Sequence, residues 1–441
     1  MISNREALAT TPARETALAC IKAGIEAAHP NTVIREAVEL DEDTDTLRVE
    51  NREYDLSEFD EIVVLGGGKA AAQVAAALES LLGDHIDRGA VVTNDSEETT
   101  RIEVLPGDHP VPSERGVEST RRVLELADSA DENTLVLAAI TGGASALLPA
   151  PAEEISLTDI QSVTRNLLDS GADIDDINAV RKHCSALKGG QLAQKAAPAT
   201  VVGLLFSDVV GDSPGVIGSG PTAPDETSFA DAISVLDRYG VESDEASAIR
   251  TRLERGNNGE LPETPDADDS IFDHVTNHVL ATTFTALDAA RETAKRRGYD
   301  ATILSSRVRG EARESVKTHV AIAEEILATG NPSSPPAVLL SGGETTVSVR
   351  GDGSGGPNLE FTLGALLELD GEITVASVDT DGKDGSTDAA GALVDGELST
   401  AGGQEALREN DSHRFLDSVG ALIETGATGT NVNDLRILVV E

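Results

Sequence analysis

The chain has no tryptophan, one methionine, three tyrosines and seven phenylalanines in 441 residues. Its cores must therefore be built from Ala, Val, Leu and Ile. The two cysteines, Cys20 and Cys184, are too few and too far apart for a disulfide framework or a thiolate metal cluster. That pattern fits a reducing compartment. No stretch approaches the ~20 apolar residues of a spanning helix, and Met1–Arg14 has no apolar signal core. The expectation is a soluble, cytoplasmic protein. Positive charge is scarce as well: 34 Lys and Arg against 78 Asp and Glu leave a net charge of −44. Such a surface repels nucleic acid and anionic membranes, so neither is expected as a partner.

Acidity of this degree can signal disorder, but apolar strand-like runs recur along most of the chain. The better reading is a folded protein solvated in concentrated salt, where screening falls to about 3 Å at 1 M. A halophilic, archaeal cytoplasm suits it. Of the basic residues only eight are Lys, and Lys69, Lys182, Lys188 and Lys383 lie in or beside glycine-rich segments. In a chain so poor in lysine that placement raises their functional weight.

The segment Ile62–Leu78 organises the rest. Ile62–Leu65 reads as a buried strand, Gly66–Gly68 as a turn, and the alanine-rich stretch after it as a helix with Lys69 in its first turn. Free amide N–H groups and the helix dipole favour an anion at such a turn, commonly a phosphate. A lysine has the wrong sign for the dipole there unless an anion is bound beside it. The plainer alternative is a tight turn with a solvated lysine.

The same arrangement recurs at Thr134–Ile140 followed by Thr141–Ser145. Residues 10–29 read as an amphipathic helix, with Leu18, Ile21, Ile25 and Ala28 on one face, and 41–55 as a surface hairpin. Residues 106–112 form a proline-rich rigid loop carrying His109. Helices are expected at 114–130, 156–170, 175–196, 225–255, 285–297 and up to about 329, and strands at 89–94, 200–206, 278–283, 301–306, 336–341, 373–378 and 435–440. A hairpin partner is expected at 345–350 and flexibility at 351–356. Residues 256–270, rich in Asn, Gly, Pro and acids, are the best linker. Strands alternating with helices predict an α/β fold with parallel sheets covered on both faces. Two domains are expected: a Rossmann-like parallel-sheet α/β/α domain over 1–260 and a smaller α/β domain over 275–441.

The loops at 66–69, 141–145, 207–222, 341–344 and 379–391 all follow strands, where α/β sheets bind ligands. They supply amide N–H groups and Asp residues without His or Cys neighbours. An oxygen-only donor set suits Mg²⁺ riding on nucleotide phosphates. These are the parts phosphoryl transfer uses, because its catalysis is mostly positioning and charge neutralisation. Asp208, Asp212, Asp379, Asp381 and Asp384 are the carboxylate candidates, although a solvated surface role is the default in so acidic a chain. Lys69 is followed by Ala70, so no Walker pattern is present, and the protein kinase signature is absent. The rival is a dinucleotide fingerprint, matched in relaxed form by Gly66, Gly68 and Ala71, but the expected ribose-binding acid is not at the end of the next strand.

Taken together, these stretches resemble the class II glycerate kinases, the glycerate 2-kinase family with a C-terminal MOFRL domain, in a haloarchaeal-type version. The motifs are 67–70, 107–112, 141–147, 185–190, 207–212 with 218–222, 341–347, 380–392 and 428–435, in order along the chain. The resemblance implies ATP-dependent phosphorylation of D-glycerate at its 2-hydroxyl with Mg²⁺, giving 2-phosphoglycerate and ADP. The alternative it carries is an NAD(P)H-dependent hydroxypyruvate reductase, and a homodimer is compatible with either. Lys69, Asp208 and Asp379 are the expected catalytic residues, and Asp208 and Asp381 the expected metal ligands. Gly67, Gly68, His109, Gly142, Gly143, Ser145, Lys188, Glu344 and Asn358 are expected to bind substrate or nucleotide. One departure matters: where the family pattern has Arg and Gln, this chain has Pro357 and Leu359. Arg309, Arg313 and Lys383 are the cations available to replace that arginine.

Overall fold

The computed structural model describes residues 1–241 and 246–441, and its chain forms two compact units, Val33–Leu280 and Met1–Thr32 with Ala281–Glu441. In the first unit, six strands lie in the order Ile102–Pro106, Arg88–Thr93, Glu61–Gly67, Thr134–Ile140, Thr200–Phe206 and Val275–Ala281. The pairings from Ile102–Pro106 to Thr200–Phe206 are parallel. Ile62–Leu65 and Leu135–Ile140 are buried. Both faces are covered, which is why these strands are apolar without alternation. The helices Ala71–Leu82 and Glu114–Asp128 follow them, the latter capped by Ser113, whose Oγ accepts from the Gly116 N–H. The expected hairpin at 41–55 is a three-stranded antiparallel meander, Val38–Asp41, Thr46–Val49 and Arg52–Asp55.

Strand order reverses between Glu61–Gly67 and Thr134–Ile140. From the first the chain steps outward through Arg88–Thr93 to Ile102–Pro106, and from the second outward the other way. The crevice beyond the carboxyl ends of two such strands is where open α/β sheets take ligands. Both glycine turns fall at that point.

The second unit holds a mixed sheet, in the order Asp300–Val308, Ala337–Gly343, Asp434–Val440, Ile373–Asp379, Gly391–Asp395 and Leu422–Ile423. Only the first pair is parallel, where an all-parallel sheet was expected. The last strand enters antiparallel to both neighbours, with Leu438 opposite Leu339 and Val375. Helices cover both faces, so a buried apolar strand reads alike in either direction. Helices Ala312–Thr329 and Pro357–Glu368 pack on one face, and Pro12–Ala27 with Thr283–Arg296 on the other.

The expected division at 260 and 275 differs from these units in two ways. Leu18, Ile21 and Ile25 pack with Leu287, Ala290 and Ala294, which draws the N-terminal helix into the second unit. Arg14 locks it there through a buried two-point pair with Asp395, at 2.9 Å from NH2 to Oδ1. The 256–270 segment is internal to the first unit rather than a linker between units. Thr264 Oγ1 donates to Asp225 at 3.0 Å, and the Asp225 N–H donates to Pro265 O at 2.9 Å.

Other expectations differ locally. The helix expected over 175–196 is two, Ile174–His183 and Gln191–Ala196, broken where Gly189 and Gly190 take positive φ. That over 225–255 is Phe229–Arg238 and Ser247–Asn257, with 242–245 outside the described residues. No strand forms at 345–350. The glycines at 351–356 serve close packing: a Cβ on Gly351 would stand 2.3 Å from Glu409 O, and one on Gly353 2.6 Å from Asp411 Cα. Among the described residues no helix is long and apolar enough to cross a membrane.

Candidate active site

In the first unit the two glycine turns are bonded side by side. The Thr141 N–H donates to Gly67 O at 3.1 Å, and the Lys69 N–H to Gly142 O at 2.8 Å. The Ala70 N–H donates to Thr141 Oγ1 at 3.1 Å. Gly68 is required here, because with φ +134 its Cβ would stand 2.1 Å from Thr141 Oγ1. Lys69 lies in the turn itself, not in the first turn of the helix, which begins at Ala71 with Ala70 as its cap. A Cβ on Gly143 would lie 3.1 Å from Lys69 Cγ and 3.0 Å from His109 Cδ2. Thus Gly67, Gly68, Lys69, His109, Gly142 and Gly143, drawn from three separate loops, come together at the switch point, with Lys69 and His109 half-buried.

Asp208 is half-buried directly after the Thr200–Phe206 strand. Ser145, in the short helix Ala144–Leu147, bonds Ser219 of the 207–222 loop, Oγ to Oγ at 2.9 Å, and Ser219 Oγ donates to Asn178 Oδ1 at 2.9 Å. Neither Ser219 nor Asn178 was singled out by the sequence, since a Ser between glycines and an Asn within a helix look ordinary.

Lys188, expected to bind ligand, is turned inward. It is buried, and its Nζ donates to Leu148 O at 2.9 Å. Burial, with Arg181 adding to it, lowers its pKa to about 7. Lys182 is paired inside with Asp225 at 3.0 Å. Both lysines hold the framework.

In the second unit the register places Gly343 and Asp379 opposite Asp434, so Glu344 and Asp379 leave the sheet at one edge. Asp379 Oδ1 accepts from the Asp381 N–H and Asp381 Oδ1 from the Lys383 N–H, each at 2.9 Å. Asp379 and Asp381 are half-buried and Glu344 exposed.

Asn358 is wholly buried. Its amide nitrogen donates to Asp384 at 3.1 Å and to Asp434 at 2.6 Å, and its oxygen accepts from Ser377. Asp384 also takes the N–H groups of Asn358 and Leu359 at 2.9 and 2.8 Å, capping the Pro357–Glu368 helix. Burial pushes the Asp384 carboxyl up to about 7, against the pull of those donors. Asp434 is paired with the buried Arg436. Asn358 and Asp384 therefore brace the loop from behind.

Pro357 occupies the first position of its helix and Leu359 lies in the core. Of the three proposed replacement cations, Arg313 is committed to Glu360 at 2.8 Å and to Leu407 O at 3.1 Å, while Arg309 and Lys383 are exposed. Among the described residues no group of three or more His, Cys, Asp and Glu is arranged to hold a metal ion. Asp379 and Asp381, an oxygen-only pair, fit an Mg²⁺ that completes its shell with phosphate oxygens and water rather than a protein cage.

Paired glycine turns at a switch point, with a lysine and a histidine beside them, are an arrangement with which α/β enzymes hold anionic, phosphate-bearing ligands. The comparisons narrow the class. Residues 16–254 match a model described as "Domain of unknown function (DUF4147)" and residues 337–434 one described as "MOFRL family". A D-glycerate 2-kinase from Thermotoga maritima is 39% identical over 435 residues, covering 96% of this chain and 97% of its own. A relative from Agrobacterium vitis, named provisionally as a hydroxypyruvate reductase, is 40% identical over 390 residues, covering 86% of this chain and 87% of its own. The crystal structure of a Thermotoga maritima glycerate kinase superposes with a TM-score of 0.84 at 38% identity, covering 97% of this chain and 99% of that one. The chain belongs to the glycerate 2-kinase family.

Proposed function

We propose that the chain transfers the γ-phosphoryl group of ATP to the 2-hydroxyl of D-glycerate, releasing 2-phosphoglycerate and ADP. The observation that carries this reading is the convergence of Lys69 and His109 on the paired glycine turns, in a chain 39% identical to a D-glycerate 2-kinase over nearly its full length. A new bond forms between the glycerate O2 and the γ-phosphorus while the bond to the β-phosphate oxygen breaks. The Lys69 ammonium lowers the charge cost of the transition state. The amides of Gly142 and Gly143, with Ser145 beside them, hold the substrate carboxylate, while the Ala144 N–H is spent on Thr141 O at 3.1 Å. His109 closes the same group, and the Gly67 and Gly68 backbone approaches the ligand. In this unit Asp208 is the carboxylate assigned to take the hydroxyl proton or to serve a metal.

In the other unit Asp379 and Asp381 are the carboxylates assigned to Mg²⁺ on the nucleotide, with Glu344 at the same sheet edge. When bound, the ion would neutralise phosphate charge. Lys188 and Asn358 each brace the loops of their own unit from inside. A cytoplasmic setting and a homodimer are the remaining parts of the proposal.

Coupled assays at high KCl test the reading. D-glycerate-dependent ADP release without NADPH oxidation on hydroxypyruvate is the expected result. NADPH oxidation without ADP release would assign the chain to the reductase reading instead.

A further inference from the structure

Residues 218–220 all take left-handed backbone, with φ of 59, 64 and 65. Two are glycines, for which this region is free; the middle one is Ser219, for which it is strained. A third glycine would fit at lower cost, so the structure keeps a hydroxyl where the backbone disfavours one. Strain of this kind gathers at functional sites. The stretch is fixed by its own backbone: Gly189 N–H donates to Ser219 O at 3.0 Å and Gly190 N–H to Gly220 O at 2.7 Å.

The Ser219 hydroxyl, buried with Asn178, has one proton, which it donates to Asn178 Oδ1. In the 2.9 Å contact with Ser145 it must then accept, so the proton of Ser145 is spent on Ser219. What the half-buried Ser145 can offer outward is a lone pair. A lone pair suits a hydroxyl donor and not a carboxylate.

We propose that Ser219 and Asn178 are positioning residues that fix Ser145 as a hydrogen-bond acceptor for the non-reacting hydroxyl of a 2,3-dihydroxy acid. The inference rests on the kinase reading above and moves Ser145 from the substrate carboxylate to the C3 hydroxyl. A site built to pair a substrate hydroxyl rejects the analogue lacking it, so the relay makes the enzyme selective for D-glycerate over D-lactate, which keeps the carboxylate and the 2-hydroxyl.

The test compares kcat/KM for ADP release with D-glycerate and D-lactate in wild type, Ser145→Ala and Ser219→Gly. Ser219→Gly removes the hydroxyl while relieving the left-handed residue, and an unchanged or raised melting temperature checks that it folds. Wild type should prefer D-glycerate by about 100-fold or more. Ser219→Gly should lose about tenfold on D-glycerate and less than about twofold on D-lactate, and Ser145→Ala should erase most of the preference. Equal losses on both substrates, or no preference in wild type, would overturn the relay while leaving the kinase reading intact. If wild type releases no ADP with D-glycerate, the kinase reading fails and the relay falls with it.

Discussion

Replacing Gly68 by alanine separates a glycine needed for space from one needed only for backbone freedom. The added Cβ would meet Thr141 Oγ1 at 2.1 Å and Thr141 O at 2.5 Å, where ordinary contacts are 3.4–4 Å, so the second glycine turn must retreat by about 1 Å. That move also breaks the bond from the Ala70 N–H to Thr141 Oγ1. Backbone strain of about 1–3 kcal/mol and an unpaired buried N–H worth about 1–3 kcal/mol give a loss of about 2–6 kcal/mol. A shift of about 1 Å in a positioned group lowers turnover by about 100-fold. Gly83 is the control: its φ of 52 and ψ of −119 disfavour a side chain, but nothing lies within 4 Å of its Cβ, so Gly83→Ala should cost only the backbone strain of about 1–3 kcal/mol with activity kept. Urea titrations and ADP release at high KCl measure both variants. Equal stability and equal activity for the two would refute the reasoning.

Asp225→Ala strips the buried Lys182 of its partner, and also frees Thr227 and Thr264. A loss of about 3–5 kcal/mol in urea unfolding is expected, and a loss under 1 kcal/mol would show the pair to be solvated. For Lys188 the folded pKa of about 7 lies below the ordinary 10.5, so the folded state binds fewer protons between those values. Its contribution to stability is present above about pH 10.5 and lost as pH falls through 7. Lys188→Met should therefore flatten the rise in stability from pH 7 to 10, by about 3–5 kcal/mol; a slope equal to wild type would place the ammonium in water. With a net charge of −44, the melting temperature should rise as KCl goes from about 0.1 to 1 M, where screening shortens from about 10 to 3 Å. A melting temperature unchanged by salt would argue against self-repulsion as a limit on stability.

Much of the first unit could be read from sequence because parallel strands covered on both faces leave unbroken apolar runs, and two of these runs lead into glycine turns. Glu61–Gly67 and Thr134–Ile140 are of that kind, and their turns mark the switch point. The second sheet was harder to read. Nothing in Asp434–Val440 reports that it inserts antiparallel between Ala337–Gly343 and Ile373–Asp379, because direction leaves no mark on a fully buried strand. The N-terminal helix was legible as amphipathic, but its partner, Thr283–Arg296, is over 250 residues away in sequence. Within the site, glycine loops announced themselves by composition. Whether a polar residue faces ligand or core did not: Lys188, Asn358 and Asp384 sit in loops or helix starts that look functional, and each is turned inward to satisfy buried partners. Ser219 and Asn178 were missed for the converse reason, since the strain that distinguishes Ser219 is a dihedral angle.

The central claim is that the phosphoryl group lands on the 2-hydroxyl of D-glycerate with Lys69 beside it. Phosphorus NMR of the product, for wild type and Lys69→Ala incubated with ATP, Mg²⁺ and D-glycerate at high KCl, tests it directly. Phosphate on C2 couples to one methine proton and gives a doublet, whereas phosphate on C3 couples to two methylene protons and gives a triplet. The account predicts the doublet in wild type and its near-disappearance in Lys69→Ala. A triplet, no product at all, or an undiminished doublet from Lys69→Ala would contradict it.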